Sequence, residues 1–103
     1  MGWKIVQQPD GNLARFTSVV NNFTDMGMSD AKALSVCQDY VNHSQAKSIV
    51  MRALNWPDPE REWEDCLRII VDAHGYEALK FTLEEADLSE LLLPEAAFSQ
   101  SAD

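Results

Sequence analysis

The sequence predicts an α+β fold, an N-terminal β-hairpin packed on three or four α-helices, and three observations carry that prediction. Residues 3–20 hold two stretches that favour extended backbone, set on either side of Pro9-Asp10-Gly11-Asn12. From Asp30 onward apolar residues recur at helical spacing. With 103 residues, 46% of them hydrophobic, the chain supplies one core and not two, and such a domain buries roughly 60–70% of the surface of its unfolded chain. Residues 1–97 are read as this single domain and residues 98–103 as a disordered tail.

Trp3 to Gln8 alternates loosely, with Trp3 and Ile5 on one face, and Thr17-Ser18-Val19-Val20 is rich in β-branched side chains, so both are expected as strands. Between them Pro9 presets φ, and Asp10-Gly11 tolerates positive φ, which makes Pro9 to Asn12 the loop of a hairpin. A lone hairpin is marginal in water, so its apolar face is expected to rest on helices. Thr24 to Met28 reads as a connector, and Ser29 as the N-cap of a helix with Ala33, Leu34, Cys37, Tyr40 and Val41 on its apolar stripe. Asn42-His43-Ser44 interrupts the pattern before a second stripe, Ala46, Ile49, Val50, Ala53 and Leu54. The sequence leaves open whether these are two helices or one bent helix.

Trp56-Pro57-Asp58-Pro59 breaks the chain and restarts it. Asp58 can cap, Pro59 fits the first turn where its missing N–H costs nothing, and Glu60 and Glu62 suit the positive end of the helix dipole. Trp63, Cys66, Leu67, Ile70 and Val71 form the buried stripe, and Gly75 offers a left-handed C-terminal cap. Residues 76–93 fit a strand or a helix by periodicity. Helix is favoured, because Glu77, Ala78, Lys80, Glu84, Glu85 and Ala86 form helices well and few β-branched residues accompany them. Pro94 ends the Leu91–Leu93 run.

Charge divides the chain. Residues 1–55 hold four acids against five bases, a net of +1; residues 56–103 hold thirteen acids against Arg61, Arg68 and Lys80, a net of −10; the two make the total of −9. Nucleic-acid affinity comes chiefly from cations that release condensed counterions, so this balance argues against direct nucleic-acid binding and for a basic partner. No apolar run approaches a membrane span, and no signal-peptide pattern opens the chain, so a cytoplasmic protein is expected. Two cysteines 29 positions apart form no disulfide scaffold.

Catalytic and metal chemistry find little support. Cys37 and Cys66 fall on apolar stripes, where a thiol is a small hydrophobe, and His43 and His74 fall at helix ends, where imidazole commonly bonds the last carbonyls. As a zinc set they are badly spaced: on a continuous helix Cys66 and His74 stand about 12 Å apart at 1.5 Å per residue. Phosphate-loop and nucleophile-elbow patterns are absent. No catalytic residue and no cofactor is expected. A small hydrolase or nuclease with clustered carboxylates around magnesium stays as a minor alternative, requiring acids that converge in a pocket.

What remains is the acidic half, Asp58, Glu60, Glu62, Glu64 and Asp65, then Glu84, Glu85, Asp87 and Glu90. Carboxylates three or four apart on a helix lie about 5–6 Å from one another, close to the phosphate spacing of a nucleic-acid strand. Trp56, in a loop beside them, is a candidate anchor for a protein partner. The plain alternative is that these acids only solvate the helices.

Lys4-Ile5-Val6, Gln8-Pro9-Asp10-Gly11, Ala14-Arg15-Phe16-Thr17, Val19-Val20 and Phe23-Thr24 together resemble the opening of a group of small proteins encoded by bacteriophages and mobile elements. The resemblance covers about the first quarter of the chain and departs at Asn21-Asn22, where related proteins often carry acids. It carries over no catalytic residue. It implies a likeness in type to phage-encoded inhibitors of host defence, including anti-CRISPR proteins that mimic DNA. The expectation is a non-enzymatic protein-binding module that turns an acidic helical face to a basic surface of a host protein. The alternative is a structural or assembly homo-oligomer.

Overall fold

The computed structural model describes residues 2–98. A three-stranded antiparallel sheet, β1 (Trp3–Gln7), β2 (Leu13–Thr17) and β3 (Asn22–Met28) in the spatial order β1-β2-β3, is followed by four helices. These are α1 (Asp30–Gln38), α2 (His43–Leu54), α3 (Pro59–His74) and α4 (Tyr76–Glu85), and two short 3₁₀ turns, Ser89–Leu91 and Glu95–Phe98, close the described chain. The α+β class stands, with a sheet one strand larger than a hairpin.

The first loop forms where its residues predict. Gln8 N–H donates to the Asn12 carbonyl at 2.7 Å, Gly11 N–H to the Gln8 carbonyl at 2.9 Å, and the Asp10 carboxylate accepts from Asn12 N–H at 3.0 Å. Gly11 sits at φ +91°, which its missing Cβ permits. This loop sets the register Trp3↔Thr17 through Gln7↔Leu13 and so places the second strand at 13–17. The expected strand at 17–20 is thereby corrected. Only Thr17 belongs to β2; Ser18 to Asn21 form the next turn, with Val19 81% exposed and Asn21 at φ +52°. The expected connector at 24–28 is also corrected, because it pairs with β2 as most of β3. Its ladder is irregular around Arg15, and Gly27 takes φ +65° beside that irregularity.

Both faces of the sheet are covered. Val6, Ala14, Phe16 and Phe23 pack on Trp63, Cys66, Leu67 and Ile70 of α3, with Leu79 and Leu83 of α4. Ile5, Leu13 and Met28 pack on Ala33 and Cys37 of α1 and on Ala46, Val50 and Ala53 of α2. Central strand β2 is therefore buried along its whole length. Its Arg15 survives there because its guanidinium lies 4.2 Å from the Tyr40 ring centre and 5.1 Å from that of Trp3, and bonds Thr24 Oγ1 at 2.8 Å and Asp25 at 3.4 Å.

Helix ends follow local chemistry. Ser29, Asn42 and Asp58 each accept a first-turn N–H, and residues 30–54 resolve into two helices because Asn42 caps the second. Gly75 links α3 directly to α4 at φ 95°, ψ 161°. It is thus a positive-φ cap in the extended, essentially glycine-only region and not the left-handed cap expected. Residues 76–85 are helical. Asp87, at φ +59°, ends α4 in a Schellman arrangement: Asp87 N–H donates to the Glu84 carbonyl and Leu88 N–H to that of Leu83. Phe98, expected to begin the tail, lies in the last 3₁₀ turn with its ring 5.9 Å from that of Tyr76; residues 99–103 fall outside the described residues.

Candidate functional site

The candidate residues fall into three places. Asp58, Glu60, Glu64 and Asp65 lie on the outer face of α3, where, with Arg61 and Arg68, they line a shallow polar depression. Asp65 stands 3.9 Å from Arg68 one turn on, so this group is partly neutralised. Glu62 departs from it. It turns toward the sheet, where Lys4 of β1 donates to its carboxylate. Burial alone would lower the pKa of Lys4, but the bond to Glu62 and the field of neighbouring acids outweigh that and raise it.

Glu84, Glu85, Asp87 and Glu90 form the second group, all exposed, around the C-terminal end of α4. Among the described residues none of the four is in an ion pair. Their position is electrostatically adverse. The last turn of a helix carries the negative end of its dipole, and the last turn of α4 holds no basic residue.

The third place was not read from the sequence. A cleft of about 170 Å³ opens between α2 and α3 along the outer edge of β1. The whole of β1 forms its floor, Ile49, Arg52 and Ala53 one wall, and Trp56, Pro59 and Glu62 the other. Trp56 is 37% exposed here, with the Arg52 guanidinium 5.3 Å from its ring centre. Trp56 and Glu62 thus border the cleft and not the outer face of α3. An alternating Trp3, Ile5, Gln7 strand beside a Trp-Pro corner was the available signal, but its meaning depends on where α2 and α3 fold.

The thiols and imidazoles take structural positions. Cys66 is fully buried, which pushes its pKa up to about 12, and burial raises that of Cys37 too. A protonated thiol inside the core is no nucleophile at neutral pH. His74 bonds the Val20 carbonyl at 2.7 Å. His43 opens α2 instead of ending a helix, and its Nδ1 meets the Gln38 side chain. Among the described residues no three His, Cys, Asp or Glu side chains converge on a point where a metal could be held, and no helix is long and apolar enough to cross a membrane. Comparison with family models, with curated proteins and with solved structures gives no match.

Proposed function

We propose that the protein is a non-enzymatic binding module that presents the carboxylates around the end of α4, supported by the outer face of α3, to a basic surface of another protein. One observation carries the reading: Glu84, Glu85 and Asp87 stand exposed and, among the described residues, without ion-pair partners, at the helix end where carboxylates are least favoured. Acids added for solubility could sit anywhere on the surface, whereas acids held against the dipole cost stability where they are. Along α3, Glu60 and Glu64 lie one helical turn apart, about 5–6 Å, a spacing compatible with a face that occupies a nucleic-acid channel. Together with the resemblance of residues 4–24 to phage and mobile-element proteins, this favours an inhibitor of a host nucleic-acid-handling or defence protein.

The test is capture from a host-cell lysate on the wild-type chain and on the Glu84→Gln/Glu85→Gln/Asp87→Asn variant, with quantitative identification of what is retained. The reading expects a basic protein held by the wild type, released by salt and lost from the variant. Equal capture by both chains removes it. A homo-oligomer is the second reading, favoured by the exposed Val19, Val20 and Phe81. The bonds His74 to Val20 and Asn22 to Thr82 draw the β2–β3 turn to α3 and α4. Light scattering over a concentration series decides it.

A further inference from the structure

We infer that the outer edge of β1 is a peptide-docking site, where an extended segment of a partner protein that carries a carboxylate side chain adds as a fourth strand in the cleft between α2 and α3. The inference uses none of the exterior acids on which the proposed function rests.

The backbone supplies the first argument. Ser18 N–H donates to the Gly2 carbonyl and Gln8 N–H to the Asn12 carbonyl, each at 2.7 Å, which marks Gly2/Ser18 and Gln8/Asn12 as hydrogen-bonded pairs. Such pairs alternate along an antiparallel ladder, so Lys4/Phe16 and Val6/Ala14 are also bonded pairs. Trp3, Ile5 and Gln7 therefore turn their N–H and C=O groups away from β2. β1 pairs with no other strand, so these three residues leave six backbone groups along the cleft floor, and among the described residues none of the six has a partner. From Trp3 to Gln7 the edge runs about 14 Å at 3.4 Å per residue, enough for five residues of added strand. An unprotected edge of this kind is a template for strand addition.

Shape and charge select the occupant. A second copy does not fit, because its own β1 is recessed between its own α2 and α3, and two recessed edges cannot approach to the roughly 4.8 Å that strands need. The cleft is also smaller than the roughly 300–1,000 Å³ of small-molecule pockets, but it has room for side chains of a strand laid along the floor. Ile49, Ala53 and Pro59 give that strand an apolar contact. Lys4 and Glu62 satisfy each other across the floor, while among the described residues Arg52 has the Trp56 ring and no carboxylate as a partner. A carboxylate on the incoming strand pairs with this guanidinium at the cleft wall.

The test selects a displayed library of random nine-residue peptides on the full chain, then titrates a synthetic copy of the most enriched peptide against the amide NMR spectrum. The proposal expects β-branched residues and an Asp or Glu in that peptide, shifts centred on Trp3, Ile5 and Gln7, and affinity reduced about tenfold or more by Arg52→Glu. N-methylation of alternate peptide amides, which removes strand hydrogen bonds and leaves the side chains, reduces affinity about as much. Gln7→Pro deletes one outward donor of β1 and weakens the peptide, with the thermal transition of the variant confirming that it folds. Selection without enrichment, shifts confined to other surfaces, affinity indifferent to N-methylation and Arg52→Glu, or concentration-dependent dimerisation through β1 each overturn the proposal.

Discussion

Gln8 ties the first loop to the last strand, and replacing it with Met tests how much that tie contributes. The side chain is 2% exposed; its Nε2 donates to the Asp10 carboxylate at 3.0 Å, and its Oε1 accepts from Gly27 N–H at 2.7 Å, nineteen residues away. Met keeps the unbranched shape and near volume, so little of the effect comes from packing. It removes both bonds and leaves the Gly27 donor without its acceptor at a strand irregularity. A lost hydrogen bond costs about 0.5–1.5 kcal/mol and a stranded buried donor about 1–3 kcal/mol; because Gly27 is itself exposed, water relieves part of the second cost. The expected destabilisation is about 2 kcal/mol, or roughly 8–16 °C in Tm for a domain of this size. Urea unfolding followed by tryptophan fluorescence should show a lower midpoint at unchanged slope. Asp10→Ala removes the bonds from Gln8 Nε2 and from Asn12 N–H but leaves the bond to Gly27 in place, so the Gly27 amide should stay protected from hydrogen exchange in that variant. A loss below about 0.5 kcal/mol, or a Gly27 amide that stays protected from hydrogen exchange, in the Gln8→Met variant refutes the tie.

Trp63 is 1% exposed and stacked 5.0 Å from the Phe23 ring, so Trp63→Ala should cost about 3–5 kcal/mol in a urea titration. Among the described residues its indole N–H has no hydrogen-bond partner, and Trp63→Phe should therefore lose only volume and retain more than half of the stability lost in the alanine variant. Asp58→Ala removes the cap on Arg61 N–H at the start of α3 and should cost about 1 kcal/mol. Cys66 stays protonated in the fold to about pH 12, against an ordinary value of 9.0. The unfolded thiol therefore ionises first, and stability should hold below pH 9 and decline as pH rises from 9 toward 12, a decline that Cys66→Ala flattens in pH-dependent melts.

The parts of the fold visible in the sequence are those decided within a few residues. The Pro9–Asn12 loop, the Ser29 cap and the Asp58-Pro59 start of α3 each depend on a side chain and the amides next to it. β2 is not legible because Leu-Ala-Arg-Phe-Thr shows no alternation. With helices on both faces every position is buried, and the charge of Arg15 is hidden by rings from β1 and from beyond α1. β3 is hidden because Asp25 and Gly27 look like loop residues; they are tolerated where the ladder to β2 is irregular, and only the partner strand makes that segment extended. At the site, the exposed acids could be counted, but not the loss of Glu62 to Lys4 fifty-eight positions away, nor the cleft, whose two walls come from different helices.

That limit gives the α4 acids a diagnostic use. If Glu84, Glu85 and Asp87 serve only solubility, replacing them with Gln, Gln and Asn should leave partner capture untouched. Against the dipole of α4, each removed charge should stabilise the fold by about 0.3–1 kcal/mol at low ionic strength, and Asn at 87 keeps the positive φ that ends the helix. The triple variant should then melt higher than the wild type while holding its basic partner less well, and added salt should shrink both differences together. A variant that melts no higher at low salt removes the argument that these charges are kept at a cost; one that melts higher and still captures the partner removes the assignment of the partner to this surface.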